Sequence, residues 1–326
     1  MVDYVYILQV GISMLLVICV GFFVFKFKFL PVRIVPYLNQ YLLKACYVPL
    51  IFRSIGKRKF SELNFMPFVI GAFTTITTHI LMCLIFLFKF KDKFKNYLGI
   101  ILPCSFVNYL VIGIPIFDAI WGSENNVVVS LISLSNDLIT TPIYLVLSGL
   151  YLSKKQEKET GVKLSVSNLV KGILIRIITN PIIIGNILGF CWALAEWEFP
   201  MFIKSLTYFT GNEVLGMSLL CVGGFIAQNS FVACSIVKLV IAIIIRHIIM
   251  PAISIPFCYA FKLSNDLSRQ CVILQCLPTG TTSFLLSSSL GIQPGVSSTM
   301  SFWSTCLSVP FIMLWVFVLD KLNMWK

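Results

Sequence analysis

The sequence predicts an all-α membrane protein with about ten transmembrane helices. Hydrophobic residues make up 58% of the chain and charged residues only 12%, and the mean hydropathy is +0.93. Soluble domains carry about a quarter charged residues. Apolar windows of about 20 residues recur along the whole length, and each is long enough to cross a bilayer core of about 30 Å. These windows are too long and too continuously apolar to be the strands of a membrane β-barrel.

The predicted spans follow one another with short polar connections. They are approximately 4–25, 35–52, 65–88, 97–120, 127–152, 169–195, 214–227, 235–261, 269–290 and 295–319. The seventh is short and contains Gly216, Gly223 and Gly224, which indicates a broken or closely packed helix. The aromatic stretch 199–210 before it is predicted to lie flat at the membrane interface.

The longest polar connection, 153–167, divides the chain nearly in half, with five spans on each side. Because five is odd, the two halves would be repeats of inverted orientation. We therefore expect a first repeat at 1–152, a cytoplasmic loop at 153–167 and a second repeat at 168–326. The basic residues of the connections favour both termini outside, although the cluster at 53–59 argues for the opposite orientation. The net charge of +12 thus predicts topology and no binding to nucleic acid.

The fourth span of each half contains a proline at a matching position. These residues are Pro115, in IGIPIF, and Pro278, in CLPTGTTSF. A helix that is broken inside the bilayer leaves backbone groups unpaired, so the break must face protein or a water-filled cavity. The half-helix that starts after a break presents free N–H groups and a positive dipole end to an anion. Paired interruptions of this kind indicate a crossover of two broken helices at a transport site.

Polar residues surround both interruptions and predict a single binding pocket. We expect the substrate site to consist of Asn108, Pro115, Asn136, Pro278, Thr279 and Gly280. Thr281, Thr282 and Ser283 continue the hydroxyl-rich stretch after Pro278.

Charged residues inside spans are costly and are functional candidates. Asp118 and Asp137 are candidates for carrying a coupling proton or cation, and Arg246 or Arg176 would pair with them or hold a substrate anion. Lys44 is expected to extend its ammonium group to the membrane surface. The sequence has no nucleophilic triad, no metal-ligand spacing and no GxxxxGK[ST] motif, so we expect neither an enzyme nor a cofactor.

Two segments of the sequence resemble the auxin efflux carrier family. NYLVIGIP at 108–115 is similar to the N-T-L-V-x-G-I-P stretch of PIN-type carriers, and LPTGTTSFLLSSSLGIQPGVSST at 277–299 is similar to a second segment of those carriers. Segments at 38–55, 180–190 and 243–252 also match the wider family. The resemblance therefore covers the length of the chain.

This resemblance implies ten spans in two inverted five-helix repeats, with a scaffold domain and a transport domain that moves as an elevator. It implies a transported organic anion whose carboxylate is held by helix ends and an asparagine, so Asn108, Pro115 and Pro278 take those roles. Asn136 is a looser match to a polar residue of the fifth span. The third span, PFVIGAFTTITTHI at 67–80, departs from the family because it lacks the acidic residue and lysine found there in PIN-type carriers.

The sequence thus predicts a multi-pass transporter of a small organic anion, in the plasma membrane or the endoplasmic reticulum. Two alternatives stay open. One is a non-transporting receptor of the same fold. The other is a sodium- or proton-coupled carrier of the bile-acid symporter-like group, with Asp137 as the coupling residue. The expected partners are the substrate and the lipid bilayer, and a homodimer is kept open as the assembly.

Overall fold

The structure, a computed structural model, describes residues 4–87, 92–160, 166–322 and 324. About 84% of the described residues are helical. In the described ranges the β-structure is limited to an isolated bridge between Val107 and Thr279. The prediction of an all-α protein is confirmed.

The described ranges contain sixteen α-helices. They are α1 Tyr4–Lys26, α2 Val35–Tyr41, α3 Tyr47–Gly56, α4 Met66–Met82, α5 Lys93–Ser105, α6 Ile114–Trp121, α7 Val127–Ser135, α8 Thr141–Thr160, α9 Val166–Ile178, α10 Pro181–Ala195, α11 Met201–Gln228, α12 Ile236–Ile244, α13 Met250–Ala260, α14 Asn265–Gln275, α15 Thr282–Ser289 and α16 Pro294–Lys321. Each of the predicted spans coincides with one or more of these helices. By length and hydropathy, five helical spans of the described chain are long enough to cross a membrane, or six when the pair Val170–Ile178 and Pro181–Ala195, bent by 53°, counts as one.

Four helical junctions are widened into single π-helical turns. These turns are Leu42–Cys46, Tyr109–Gly113, Asn136–Thr140 and Ile245–Ile249. A proline follows each turn within two or three residues: Pro49, Pro115, Pro142 and Pro251. Proline has no N–H to donate and its ring collides with the carbonyl four residues earlier. Widening the preceding turn relieves that collision, which explains why long helices continue through these prolines.

Two sequence predictions about helix ends need correction. The seventh span is not short, because α11 is one unbroken helix of 28 residues and includes most of the stretch 199–210 that was predicted to lie at the interface. The predicted loop 153–167 is helical at both ends, since α8 continues to Thr160 and α9 begins at Val166. Residues 161–165 lie outside the described residues.

The helices pack as two groups. The first, the flanking group, consists of α1 to α3 and α9 to α11, and in it α1 packs along α11 and α3 packs along α10. Both pairs approach closely at glycines: a Cβ on Gly21 would lie 2.4 Å from the Leu220 carbonyl oxygen, and one on Gly189 would lie 2.8 Å from Ile55 Cβ. Small residues permit such backbone contact in membrane helix pairs. The predicted close packing of the seventh span is therefore observed.

The second, the crossover group, consists of α4 to α8 and α12 to α16. Its helices include the contacting pairs α4 with α7, α4 with α13, α13 with α14, and α16 with α5 and α15. The chain between α5 and Tyr109, residues 106–108, is the first break. The chain between α14 and α15, residues 276–281, is the second break. These two breaks meet inside the crossover group.

Candidate functional site

The two breaks pair with each other through their backbones. The Asn108 N–H donates to the Pro278 carbonyl at 2.9 Å, and the Gly280 N–H donates to the Phe106 carbonyl at 2.9 Å. Between these bonds Val107 and Thr279 face each other as an antiparallel bridge. Backbone groups that neither half-helix can satisfy are therefore satisfied by the opposite break, as a low-dielectric interior requires.

Asn136 completes the pairing on the other edge of Val107. Its side-chain Nδ2 donates to the Val107 carbonyl at 2.7 Å, and its Oδ1 accepts from the Val107 N–H at 3.2 Å. The side chain is 5% exposed. The π-helical turn that begins at Asn136 presents this amide to the first break. Asn136 thus acts on the backbone of the site, with both of its polar atoms already used.

Replacing Asn136 by leucine is expected to destabilise the protein strongly. The change leaves the buried N–H and C=O of Val107 without these partners, and each orphaned group costs about 1–3 kcal/mol. We expect a loss of roughly 2–6 kcal/mol in the free energy of unfolding from that cost, measured as a fall in thermal midpoint in detergent. Asn186→Leu is the matched control, because the Asn186 side chain donates only to the Ile182 carbonyl of its own helix. Equal midpoints for the two variants would contradict this role of Asn136.

A cavity of about 420 Å³ lies between the breaks and the flanking group. The crossover group lines it with both breaks, with the Asn136–Thr140 turn and with the start of α15. The flanking group lines it with α2, the turn after it, the start of α3, α9, α10 and α11. The lining residues of α9 and α10 lie around the bend between them, from Ile173 to Ile182, and those of α11 lie in its C-terminal half, from Ser218 to Phe225.

The cavity contains hydrogen-bond donors without partners. Asn108 lines it, is 8% exposed, and makes no side-chain hydrogen bond within the described part of the chain. Thr281 and Thr282 line the cavity at the start of α15, and their backbone N–H groups donate to no group among the described residues. A helix start and a neutral amide both donate to a negatively charged ligand.

Three charged side chains also line the cavity. Lys44 and Arg176 are both exposed and belong to the flanking group, and Asp137 is buried and belongs to the crossover group. The Asp137 carboxylate accepts a hydrogen bond of 2.6 Å from the Asn180 side chain. Asn180 sits at the bend between α9 and α10, where its own Oδ1 accepts from the Ile182 N–H and caps α10. This contact joins the two helix groups across the cavity.

Other predicted site residues lie outside the cavity lining. Pro115 is in the first turn of α6, and the break that we expected there lies at 106–108, because Pro115 widens the preceding turn without ending the helix. Pro278 lies in the second break but only its carbonyl is engaged, by Asn108. The Thr279 hydroxyl donates to the Pro103 carbonyl at 2.7 Å, away from the cavity. Asp118 lies in α6 toward the opposite end. Gly280 does line the cavity.

The coupling candidate Arg246 also lies away from the cavity. Its side chain is fully buried and donates to backbone carbonyls. No carboxylate accepts from it in the ranges that the structure describes.

Sequence reasoning missed Asn180 and Tyr47 as cavity residues. The Asn-Pro pair at 180–181 is a recognisable helix start, with asparagine as cap and proline in the first turn. That signal predicts the bend but not the partner, since Asp137 is 43 positions away. Tyr47, whose hydroxyl lies 3.4 Å from Ser218 Oγ, carries no signal that separates it from other aromatic residues of the spans.

A family model described as membrane transport protein, Mem_trans, matches residues 7–316. "Auxin efflux carrier component 8" of Arabidopsis thaliana is 24% identical over 250 residues, which are 65% of this chain and 68% of the relative. "Probable auxin efflux carrier component 5b" of Oryza sativa subsp. japonica is 23% identical over 240 residues, 65% of each chain. "Auxin efflux carrier component 1" of Arabidopsis thaliana is 26% identical over 149 residues, 44% of this chain and 24% of the relative. The matches thus span about two thirds of the first two relatives and about a quarter of the third.

Proposed function

The chain belongs to the Mem_trans family of membrane transport proteins and is a multi-pass integral membrane protein, and from this membership we propose that it carries a small organic anion through the cavity at the crossed breaks. The observation that carries the proposal is the set of cavity donors without partners among the described residues: the Asn108 side chain and the backbone N–H groups of Thr281 and Thr282. The cavity volume of about 420 Å³ suits a small organic molecule. The relatives named as auxin efflux carriers make indole carboxylates the first class to test.

The charge of the cavity favours an anion. Lys44 and Arg176 contribute two positive charges, and the buried Asp137 is the carboxyl group of the described lining. A substrate carboxylate would offset this positive charge. The α15 start adds a positive dipole end that faces the same space.

Uptake into proteoliposomes tests this function. The purified protein would be offered labelled indole-3-acetate, benzoate and a short aliphatic carboxylate, with tryptamine as a control of the same ring system and opposite charge. We expect saturable uptake of at least one carboxylate and none of tryptamine. Folded protein that transports no acid would contradict the proposal and favour the receptor alternative.

Lys44→Gln and Arg176→Gln are each expected to weaken uptake several-fold at low ionic strength. Both cations are exposed, so each contributes on the order of 1 kcal/mol or less, which is about fivefold. The loss should appear in KM, with kcat unchanged, and should shrink as salt screens the charges. Lys204→Gln, at the start of α11 and remote from the cavity lining, is the matched control. A salt-independent loss would show that the cations act through structure and not through charge.

The inverted-repeat organisation of 1–152 and 168–326 belongs to the same proposal. If the sixth span repeats the first and the seventh repeats the second, then α1 packed on α11 and α10 packed on α3 are equivalent pairs. Both pairs are lined by glycines, at Gly21 with Gly223 and at Gly185 with Gly189. The two breaks, which meet each other, then occupy equivalent positions in the two halves. This internal correspondence supports ten spans.

Alternating access would arise from movement of the crossover group along the flanking group. The cavity lies between the groups, with the Asn108 side chain on one side and the cations Lys44 and Arg176 on the other. At the end away from the central connection the groups touch: the Ser54 hydroxyl donates to Asn126 Oδ1 and accepts from the Ser130 hydroxyl, both at 3.1 Å. We propose that this arrangement is a state open toward the central connection, and that the central connection lies on the cytoplasmic side of the plasma membrane or endoplasmic reticulum.

The contact between Asp137 and Asn180 is a specific observation in favour of the coupled-carrier alternative. Its hydrogen bond to Asn180 joins the two groups and would break when they slide. A cation or proton that takes the place of Asn180 would therefore travel with the crossover group. Flux that follows an imposed sodium or pH gradient in the native protein, and is indifferent to it in Asp137→Asn, would establish coupling.

A further inference from the structure

Arg246 is the largest of the fully buried side chains among the described residues. It lies in the π-helical turn Ile245–Ile249 between α12 and α13. Its Nη1 donates to the Cys104 carbonyl at 2.8 Å, its Nη2 to the Gln275 carbonyl at 2.7 Å, and its Nε to the Leu277 carbonyl at 2.7 Å. All three of its nitrogens therefore donate to backbone.

The three carbonyls belong to the C-terminal ends of two half-helices. Cys104 is the penultimate residue of α5, Gln275 is the last residue of α14, and Leu277 follows two positions later. The last carbonyls of a helix accept no hydrogen bond from an N–H of the same helix, and they carry a partial negative charge. Two such ends thus face one guanidinium, whose charge is permanent and whose donors form a planar fork. Helix ends take the place of the carboxylate that a buried arginine ordinarily needs.

The same two ends lead directly into the cavity. Asn108 follows Cys104 by four positions, and Gly280 follows Leu277 by three. Between them lies the backbone pairing of Val107 with Thr279. We propose that Arg246 is a positioning residue, which ties the ends of α5 and α14 together and so fixes where Asn108 and the α15 start lie in the cavity. The role in positioning cavity residues rests on the proposed function, but the link between α5 and α14 through Arg246 requires no substrate.

An ammonium group cannot reproduce this geometry. Lysine would retain the positive charge between the helix ends but would present its donors from a single atom, without the fork. Methionine has a similar reach and no donor at all. Comparing the native protein with Arg246→Lys and Arg246→Met therefore separates the effect of the positive charge from the effect of the forked donor geometry.

Native cysteines report on the tie without any transport measurement. Cys104 and Cys276 are 0% exposed and lie at the two helix ends that Arg246 joins, the end of α5 and the end of α14. Cys46, also 0% exposed, is in the turn Leu42–Cys46 of the flanking group and is the internal control. The rate of N-ethylmaleimide addition to each thiol would be measured in purified full-length protein by peptide mass spectrometry. Arg269→Met is the control variant. It also removes a cation from α14, but Arg269 lies in the N-terminal half of that helix and pairs with Asp320 of α16.

We expect Arg246→Met to raise the labelling rates of Cys104 and Cys276 at least tenfold, with Cys46 unchanged. Arg246→Lys should recover part of the protection, and Arg269→Met should label like the native protein. Native-like protection of Cys104 and Cys276 in both Arg246 variants would overturn the proposal. Exposure of Cys46 together with the other two in the Arg246→Lys variant would also overturn it, since the arginine would then support the whole fold and not the crossing. Failure of carboxylate uptake with the expected labelling pattern would count against the transport proposal alone.

Discussion

Asn108→Ala is expected to lower carboxylate uptake roughly 10- to 150-fold at subsaturating substrate. The Asn108 side chain is buried, lines the cavity and has no partner among the described residues, so its amide is available to the anion. A hydrogen bond to a charged group contributes about 1.5–3 kcal/mol, and each 1.4 kcal/mol is about tenfold in affinity. Because only the side chain changes, the backbone bond from the Asn108 N–H to Pro278 remains.

The measurement is initial uptake into proteoliposomes with matched amounts of folded protein. Asn125→Ala is the control, since Asn125 is exposed and its side chain donates to the Trp121 carbonyl at the opposite end of the molecule from the cavity. Asn108→Asp extends the test, because a carboxylate of the same size would repel the anion and should be at least as inactive as Asn108→Ala. Native flux in Asn108→Ala would remove Asn108 from the substrate site.

Gly223→Val is expected to prevent normal assembly of the flanking group. A Cβ at Gly223 would lie 2.2 Å from the Ile18 carbonyl oxygen and 2.5 Å from the Phe22 nitrogen, both backbone atoms of α1. No side-chain rotation relieves a contact with backbone, so α1 and α11 must separate along their shared length. Ordinary overpacking costs about 1–3 kcal/mol, and this site should lie at or above the upper value.

Gly216→Val is the matched control on the same helix, because a Cβ there would meet no atom within 4 Å. We expect this control to retain the native thermal midpoint and elution profile in detergent. Gly223→Val should show a midpoint lower by many degrees or a loss of the monodisperse species. A native profile for Gly223→Val would mean that the close packing of α1 on α11 is not needed for folding.

The all-α membrane architecture was predictable because bilayer thickness imposes long apolar segments on the sequence. The meeting of the two broken helices was predictable at Pro278, which lies within the second break. At Pro115 the position was wrong by about two turns. A proline marks only where a helix lacks an N–H donor, and the helix continues through Pro115 by way of the π-helical turn Tyr109–Gly113. The break lies instead where Val107 pairs with Thr279.

The roles of Asn136 and Arg246 could not be predicted because their partners are backbone groups. Any residue at positions 104, 107 or 275 would present the same carbonyl, so sequence carries no mark of these bonds. Charge alone suggested that Arg246 would meet a carboxylate or a substrate. Only the folded arrangement shows that the carbonyl ends of α5 and α14 face Arg246 and supply the partial negative charge.

Under the proposed movement of the crossover group along the flanking group, the contacts of Ser54 with Asn126 and Ser130 would bias the balance between the two arrangements. Both hydrogen bonds join neutral groups, and each contributes about 0.5–1.5 kcal/mol net, because water replaces it when the groups part. Together they amount to about 1–3 kcal/mol, which would favour the observed arrangement over its counterpart by roughly 5- to 150-fold. A bias of that size would leave the counterpart at roughly 1–17% of the population, so a ligand with modest preference for it would reverse the balance.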